Sequence, residues 1–182
     1  MGQFFKGVIL DDENNIKVAM NPHYFNNGMK LVEFSLFNNE FLGYFMFNIY
    51  QKPKRVVFVG DYADEEENGE TLYKMAKTIE DKFTKNFFNI TYPSVFSTNY
   101  GYLINHTKKV FIDLTACKSY NIFHPLPILT SEGNGNGLGD YYGENKELAG
   151  TWARDLISLE EDEPIDFEEI TPKFHINMRI LW

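Results

Sequence analysis

The chain has one cysteine, Cys117. No internal disulfide can form, and a reducing compartment is the expected setting. No apolar run approaches the roughly 18 residues that a membrane-spanning helix needs. The opening Met1-Gly2-Gln3-Phe4-Phe5-Lys6 shows no signal-peptide pattern. Gly2 would suit myristoylation, but Lys6 stands where that motif takes Ser or Thr. These absences predict a cytoplasmic protein with no membrane partner. In that setting the glycosylation spellings Asn89-Ile90-Thr91 and Asn105-His106-Thr107 carry no meaning.

Positive charge is also scarce. Lys and Arg number 17 against 26 Asp and Glu, a net charge of −9. Binding to a nucleic-acid backbone relies on Lys and Arg, so such a partner is not expected. Much of the acidic excess falls in two runs. The first holds Asp61, Asp64, Glu65, Glu66, Glu67 and Glu70; the second holds Glu160, Glu161, Asp162, Glu163, Asp166, Glu168 and Glu169. Such runs read either as solvated loops or as a surface for a basic partner.

Large rings are abundant, with 17 Phe and 11 Tyr among 182 residues. That length and content suit a single domain, 1–182, with a well-filled core. Phe4 to Leu10 and Ile16 to Met20 flank the turn residues Asp11 to Asn15 and read as a hairpin. Asn38-Asn39 suit the cap of a helix running to about Gln51, with Pro53 ending it. The rings of Phe41, Tyr44, Phe45, Phe47 and Tyr50 suit a strand there as well. Arg55 to Val59 has the pattern of a short buried strand. Leu72, Met75, Ala76, Ile79 and Phe83 form one apolar stripe at helical spacing, which predicts a helix from about Glu70 to Phe83. Tyr102 to Ile104 and Lys109 to Leu114 suggest a second hairpin. Thr151 to Leu159 reads as a strand, and Phe174 to Trp182 alternates like a last one. Strand exceeds helix, and the helices interrupt rather than alternate. The expected class is α+β, with a mixed or mostly antiparallel sheet and about two helices.

Four constellations carry candidate chemistry. The first is residues 132–144, where five of thirteen positions are glycine and most others bear oxygen or a ring. Glycine allows close backbone approach and positive φ at an entropic cost. Glu132, Asn134, Asn136, Gly137 and Asp140 echo the alternating oxygen ligands of a calcium loop. Glu in the first position, Gly143 in the twelfth and the lack of a preceding helix depart from that pattern. A backbone cradle for phosphate and a surface loop without a ligand are the other readings.

The second is Gly60-Asp61-Tyr62-Ala63-Asp64 at the end of a buried strand. Asp61 and Asp64 either share a divalent cation, with Asp140 as a third ligand, or cap a turn. The third is His106 at a hairpin tip, a candidate general base beside Asp61 or an exposed side chain. The fourth is Trp152 and Arg154. Trp152 suits stacking on a ring and Arg154 suits an anion, or else they are a core ring and a structural Arg–Asp pair. Cys117 reads as a small buried residue.

Several of these segments recur as a set: Met1 to Lys6, Lys30 to Phe34, Val59 to Asp64, Asn105 to Lys109, Pro127 to Thr130 leading into the glycine stretch, and Trp152 to Ile157. Their order resembles a group of uncharacterised proteins of bacteria, phages and some fungi. That group brings no activity with it. The resemblance implies only that the glycine stretch and the Gly-Asp-Tyr-Ala-Asp turn share a site, and it leans toward a host-interaction or defence role.

Three functions follow as expectations. The first is a binding protein that holds a small polar or anionic ligand, or a protein partner, near residues 132–144, using Asn134, Asn136, Asp140, Trp152 and Arg154. The second is a phosphate-ester hydrolase using a divalent cation on Asp61, Asp64 and Asp140, with His106 as base. The third is an acidic interaction or immunity protein working through residues 160–169.

Overall fold

The computed structural model describes residues 3–87, 101–134, 139 and 141–173, and the side chains of all these except 81–87. The chain order is β1 (Phe5–Leu10), β2 (Ile16–Met20), α1 (Leu31–Phe34), α2 (Glu40–Phe47), β3 (Lys54–Gly60) and α3 (Leu72–Phe87). It continues with β4 (Tyr102–Asn105), β5 (Val110–Asp113), α4 (Leu114–Tyr120), α5 (Pro125–Leu129), β6 (Ser131–Glu132), β7 (Leu156–Glu160) and β8 (Glu168–Glu169). The strands form one sheet in the order β2-β1-β3-β7-β4-β5-β8, with β6 beside β3. All neighbours are antiparallel except β3–β6 and β5–β8. The α+β class and the mostly antiparallel sheet agree with the sequence pattern.

Local chemistry shapes the first hairpin. The Asp11 carboxylate accepts from the Glu13 and Asn15 amides at 3.0 and 2.8 Å, and Asn14 adopts φ 62°. Asn tolerates that left-handed conformation better than most residues. β3 then pairs with the whole of β1, from Phe5 opposite Gly60 to Leu10 opposite Arg55.

The two faces of the sheet bury different sets of residues. Phe5, Ile9, Val56 and Phe58 point into the larger core, which α1, α2, α4 and α5 cover. There the Phe58 ring lies 5.6 Å from Phe34, 6.1 Å from Phe41 and 4.8 Å from Phe45. Val8, Leu10, Val57 and Val59 face α3 through Leu72 and Ala76. Lys6 shares that second face and is almost fully buried. Its Nζ lies 2.8 Å from Glu80 and 4.2 Å from the Tyr73 ring centre, while Asn21 Nδ2 donates to Glu80 at 2.8 Å. Burial, with help from the Asp61 and Glu80 charges, pushes the Tyr73 hydroxyl up to about 12. This cluster sets which side of α3 meets the sheet.

Three expectations need correction. Among the described residues there are five α-helices, not about two. α1, α4 and α5 are too short to show a periodicity, and end chemistry holds the latter two. The Asp113 carboxylate accepts from the Thr115 and Ala116 amides, and His124 Nδ1 accepts from Leu126. The prolines of α5 fall in its first turn, where no intrahelical donor is lost. The helix expected to reach Gln51 stops at Phe47, because Gln51 turns to φ 51° and donates to the Leu159 carbonyl. The strand expected from Thr151 starts only at Leu156; residues 151–154 form a turn that ends with Arg154 at φ 63°. The strand expected at Phe174 to Trp182 lies outside the described residues.

Removing one member of the buried pair leaves the other charge without its counter-ion. Lys6→Met should therefore cost about 3–5 kcal/mol in urea unfolding, and Lys6→Met with Glu80→Leu should recover most of that loss. A double variant no more stable than the single one would show that the pair does not act as a unit.

Candidate functional site

Arg154 is the most heavily committed polar side chain around the glycine stretch. Its backbone amide donates to the Val56 carbonyl at 2.7 Å, which fixes the turn against β3. Its guanidinium then makes two forks. Toward Glu132, Nε donates at 2.8 Å and Nη2 at 2.6 Å. Toward Glu66, Nη1 donates at 3.2 Å and Nη2 makes a second contact. Glu132 sits on β6 and Glu66 in the turn that follows β3, so one arginine ties three segments together. Hydrogen bonds from Arg154 hold the Glu66 carboxyl below its ordinary range, and the two carboxylates raise the guanidinium further. The triad carries a net charge of −1 and has no open fork for an anion.

Glu66 also lines a cleft of about 680 Å³, between the first hairpin turn, the 66–68 turn and α3. Three carboxylates, Glu13, Glu66 and Glu67, line it with the amides of Asn14, Asn15 and Asn68. Ile16, Met75 and Ile79 supply apolar surface, and among the described residues no Lys or Arg lines the cleft. On the far side of Arg154, Glu132 joins Glu147, Gly133 and Gly150 around a shallower depression of about 440 Å³.

The other candidate residues are engaged elsewhere. The Asp61 amide donates to the Phe4 carbonyl, and its carboxylate accepts from the Phe4 amide, each at 3.0 Å. Asp61 thus closes the end of the β1–β3 pair, which is the turn-capping reading. Asp64 is exposed. Asn134 accepts from the buried Gln3 side chain, through its carbonyl at 3.2 Å and through its own side-chain oxygen. Gln3 so anchors the start of the glycine stretch. Asn136 and Asp140 lie outside the described residues. Among the described residues, no three His, Cys, Asp or Glu side chains gather as a metal set.

Trp152 is 2% exposed and belongs to the larger core, with its amide donating to Leu129 at 2.7 Å. Its ring is not presented to a ligand. Arg154 does form a structural pair, but with two glutamates rather than Asp155. Asp155 instead accepts from Asn105 Nδ2 at 2.8 Å and from Lys108 Nζ at 2.7 Å.

His106 Nε2 lies 2.8 Å from the fully buried Ser158 hydroxyl, and its ring meets Phe167 edge-on at 5.8 Å. Burial lowers its pKa, so the ring is neutral at pH 7. Strand register separates it from Asp61. Asn105 aligns with Ile157, and Ile157 with Lys54 at the start of β3, whereas Asp61 follows the end of β3. At about 3.3 Å per strand residue, the two lie roughly 20 Å apart along the sheet. The catalytic pairing of His106 with Asp61 is therefore not assembled.

The partners of Arg154 were missed in that role from sequence: Glu66 was read only as part of an acidic run, and Glu132 only as the first position of a calcium-loop echo. Their signal was weak: each stood among other acidic or glycine-rich neighbours, and Glu66 lies 88 positions from Arg154. No family model, curated protein or solved structure matches the chain.

Two outcomes follow from these contacts. Arg154→Ala leaves Glu66 and Glu132 facing each other and should cost roughly 1–3 kcal/mol in urea unfolding. Restoring the charge with Lys should recover only part of this, because an ammonium cannot fork to both carboxylates. His106 has a folded pKa below its ordinary 6.5. As pH falls from 6.5 toward that lower value, the unfolded chain takes up a proton that the folded chain does not. Stability should fall through that window and then level off. His106→Asn should flatten this part of a Tm-against-pH profile, and an unchanged slope would remove the assignment.

Proposed function

We propose that this chain is a binding protein whose partner presents lysine or arginine side chains, received in the cleft between the first hairpin turn, the 66–68 turn and α3. The lining of that cleft carries the reading. Among the described residues, Glu13, Glu66, Glu67, Asn14, Asn15 and Asn68 surround an apolar floor and no cation lines it. Glu66 is already held by Arg154, which leaves Glu13 and Glu67 for a partner's charge. A basic side chain has both parts this lining complements, an aliphatic stem for Ile16, Met75 and Ile79 and a charged head for the glutamates. The second acidic run supports the same polarity, since Glu161, Asp162, Glu163, Asp166, Glu168 and Glu169 are all exposed.

An anionic ligand at the glycine stretch has less support. The arginine expected to read it is held by Glu66 and Glu132, and the tryptophan expected to stack on it is buried. A basic partner also fits the net charge of −9, which speeds encounter with a cationic surface and weakens it as salt rises.

Titration of the full chain with a lysine-rich peptide, with spermine and with a glutamate-rich peptide tests this by calorimetry. The lysine-rich peptide should bind with an affinity that drops as salt increases, and the acidic peptide should not bind. Glu13→Gln and Glu67→Gln, both exposed, should each weaken binding about two- to fivefold without lowering Tm. Tighter binding of spermine than of the peptide would make the partner a small polyamine. Binding that ignores both substitutions would remove the cleft from the reading.

A further inference from the structure

A second cavity, of about 530 Å³, lies at the start of β3, where β1 finishes and β2 and β7 begin. That volume is in the range that holds a small organic ligand. Its charged lining is Asp11, Asp12, Lys17, Lys54 and Arg55, three cations against two carboxylates. The local balance is +1 in a chain whose net charge is −9.

The three cations are not equally engaged. Lys17 sits 2.7 Å from Asp11, whose carboxylate also accepts the Glu13 and Asn15 amides. Lys54 is exposed and makes no ion pair among the described residues. Arg55 is held loosely. Its Nε lies 3.4 Å from Asp12, its Nη1 reaches the Arg154 carbonyl at 3.4 Å, and the buried Nε–H has no hydrogen-bond acceptor. The Asp12 side chain is 90% exposed, so water screens its pull on the guanidinium. The contrast with Arg154 is direct: one arginine is saturated by two carboxylates, and the other keeps an open fork beside a cavity.

The rest of the lining narrows the ligand. Val18, Pro53 and Leu156 offer apolar surface next to the Arg55 fork. A guanidinium matches the planar oxygen pair of a carboxylate, and desolvated surroundings strengthen that contact. A single negative charge balances the local +1, whereas a phosphate dianion would overshoot it in the presence of Asp11 and Asp12. We propose that this cavity binds a small organic monocarboxylate with an apolar body, its carboxylate forked by Arg55 and joined by Lys54. The inference rests on a different observation from the acidic cleft and is independent of it.

The test is an amide-resolved NMR titration of the full chain with benzoate, octanoate, phenyl phosphate and neutral benzamide. Benzoate and octanoate should shift amides at residues 9–18, 53–55 and 156, with benzamide about tenfold weaker or more. Arg55→Gln should lower carboxylate affinity on the order of tenfold or more, and Lys54→Gln by a smaller factor. Arg55→Lys keeps the charge but lacks the fork, so it too should lose most of the affinity, and it separates recognition from a folding defect. Lys109→Gln, which does not line the cavity, should change nothing. No shift with either carboxylate would overturn the proposal. So would equal binding of benzamide, tighter binding of phenyl phosphate, or wild-type affinity in both Arg55 variants.

Discussion

The edge of β3 that faces away from β1 is the constraint on which the rest of the molecule depends. Three separate segments complete it. β7 pairs with Lys54 and Arg55, the turn at Arg154-Asp155 takes both backbone groups of Val56, and Thr130 with β6 serves Phe58 and Val59. A central strand buried on both faces needs every backbone group satisfied, because an unpaired one inside the core is costly. Three chain segments must therefore arrive together. Arg154 is the junction, and its left-handed φ turns the chain from the Val56 contact into β7.

That backbone requirement explains the electrostatics. Once Arg154 is pinned beside β3, its side chain extends between β6 and the turn after β3, and Glu132 and Glu66 satisfy it there. The guanidinium is then structural, and the remaining carboxylate of the 66–68 turn, Glu67, is exposed and lines the cleft with Glu13. The cleft acquires its acidic lining as a consequence of how the sheet closes. At its start β3 carries Arg55, whose contacts to Asp12 and to the Arg154 carbonyl are both long, at 3.4 Å. Both openings border the first hairpin turn, with Glu13 to Ile16 lining the acidic cleft and Asp11, Asp12 and Lys17 lining the mildly basic cavity.

The second face of the sheet obeys a different rule. α3 covers Val8, Leu10, Val57 and Val59, and Lys6 lies within that apolar field. A buried lysine is tolerable only with a counter-charge and hydrogen bonds, which Glu80, Tyr73 and Asn21 supply. Orientation of the helix is thereby tied to specific partners, where apolar packing alone would permit some rotation.

Much of the architecture was legible from local pattern. Apolar runs on either side of the turn residues Asp11 to Asn15 marked β1 and β2, apolar content marked β3, and the stripe from Leu72 to Ile79 marked α3. Asn39 was correctly placed as a cap, its side chain accepting from the Leu42 amide at 3.3 Å. These features depend on neighbours a few residues away, which is the range that periodicity covers. α4 and α5 were not legible because one capping side chain, rather than a repeat, holds each start. Of the candidate site, the importance of Arg154 and the acidic character of its surroundings could be read, along with the turn-capping alternative for Asp61. The role of Arg154 could not, since it depends on Glu132 and Glu66, which lie 22 and 88 positions away. Trp152 shows the same limit: a ring that suits a ligand equally suits a core, and only its neighbours decide. Composition and short-range pattern determined an acidic, ring-rich α+β chain with two hairpins and one long amphipathic helix. Tertiary structure alone decided which arginine is neutralised and which is open, because strand register, not sequence spacing, sets the distance between charges.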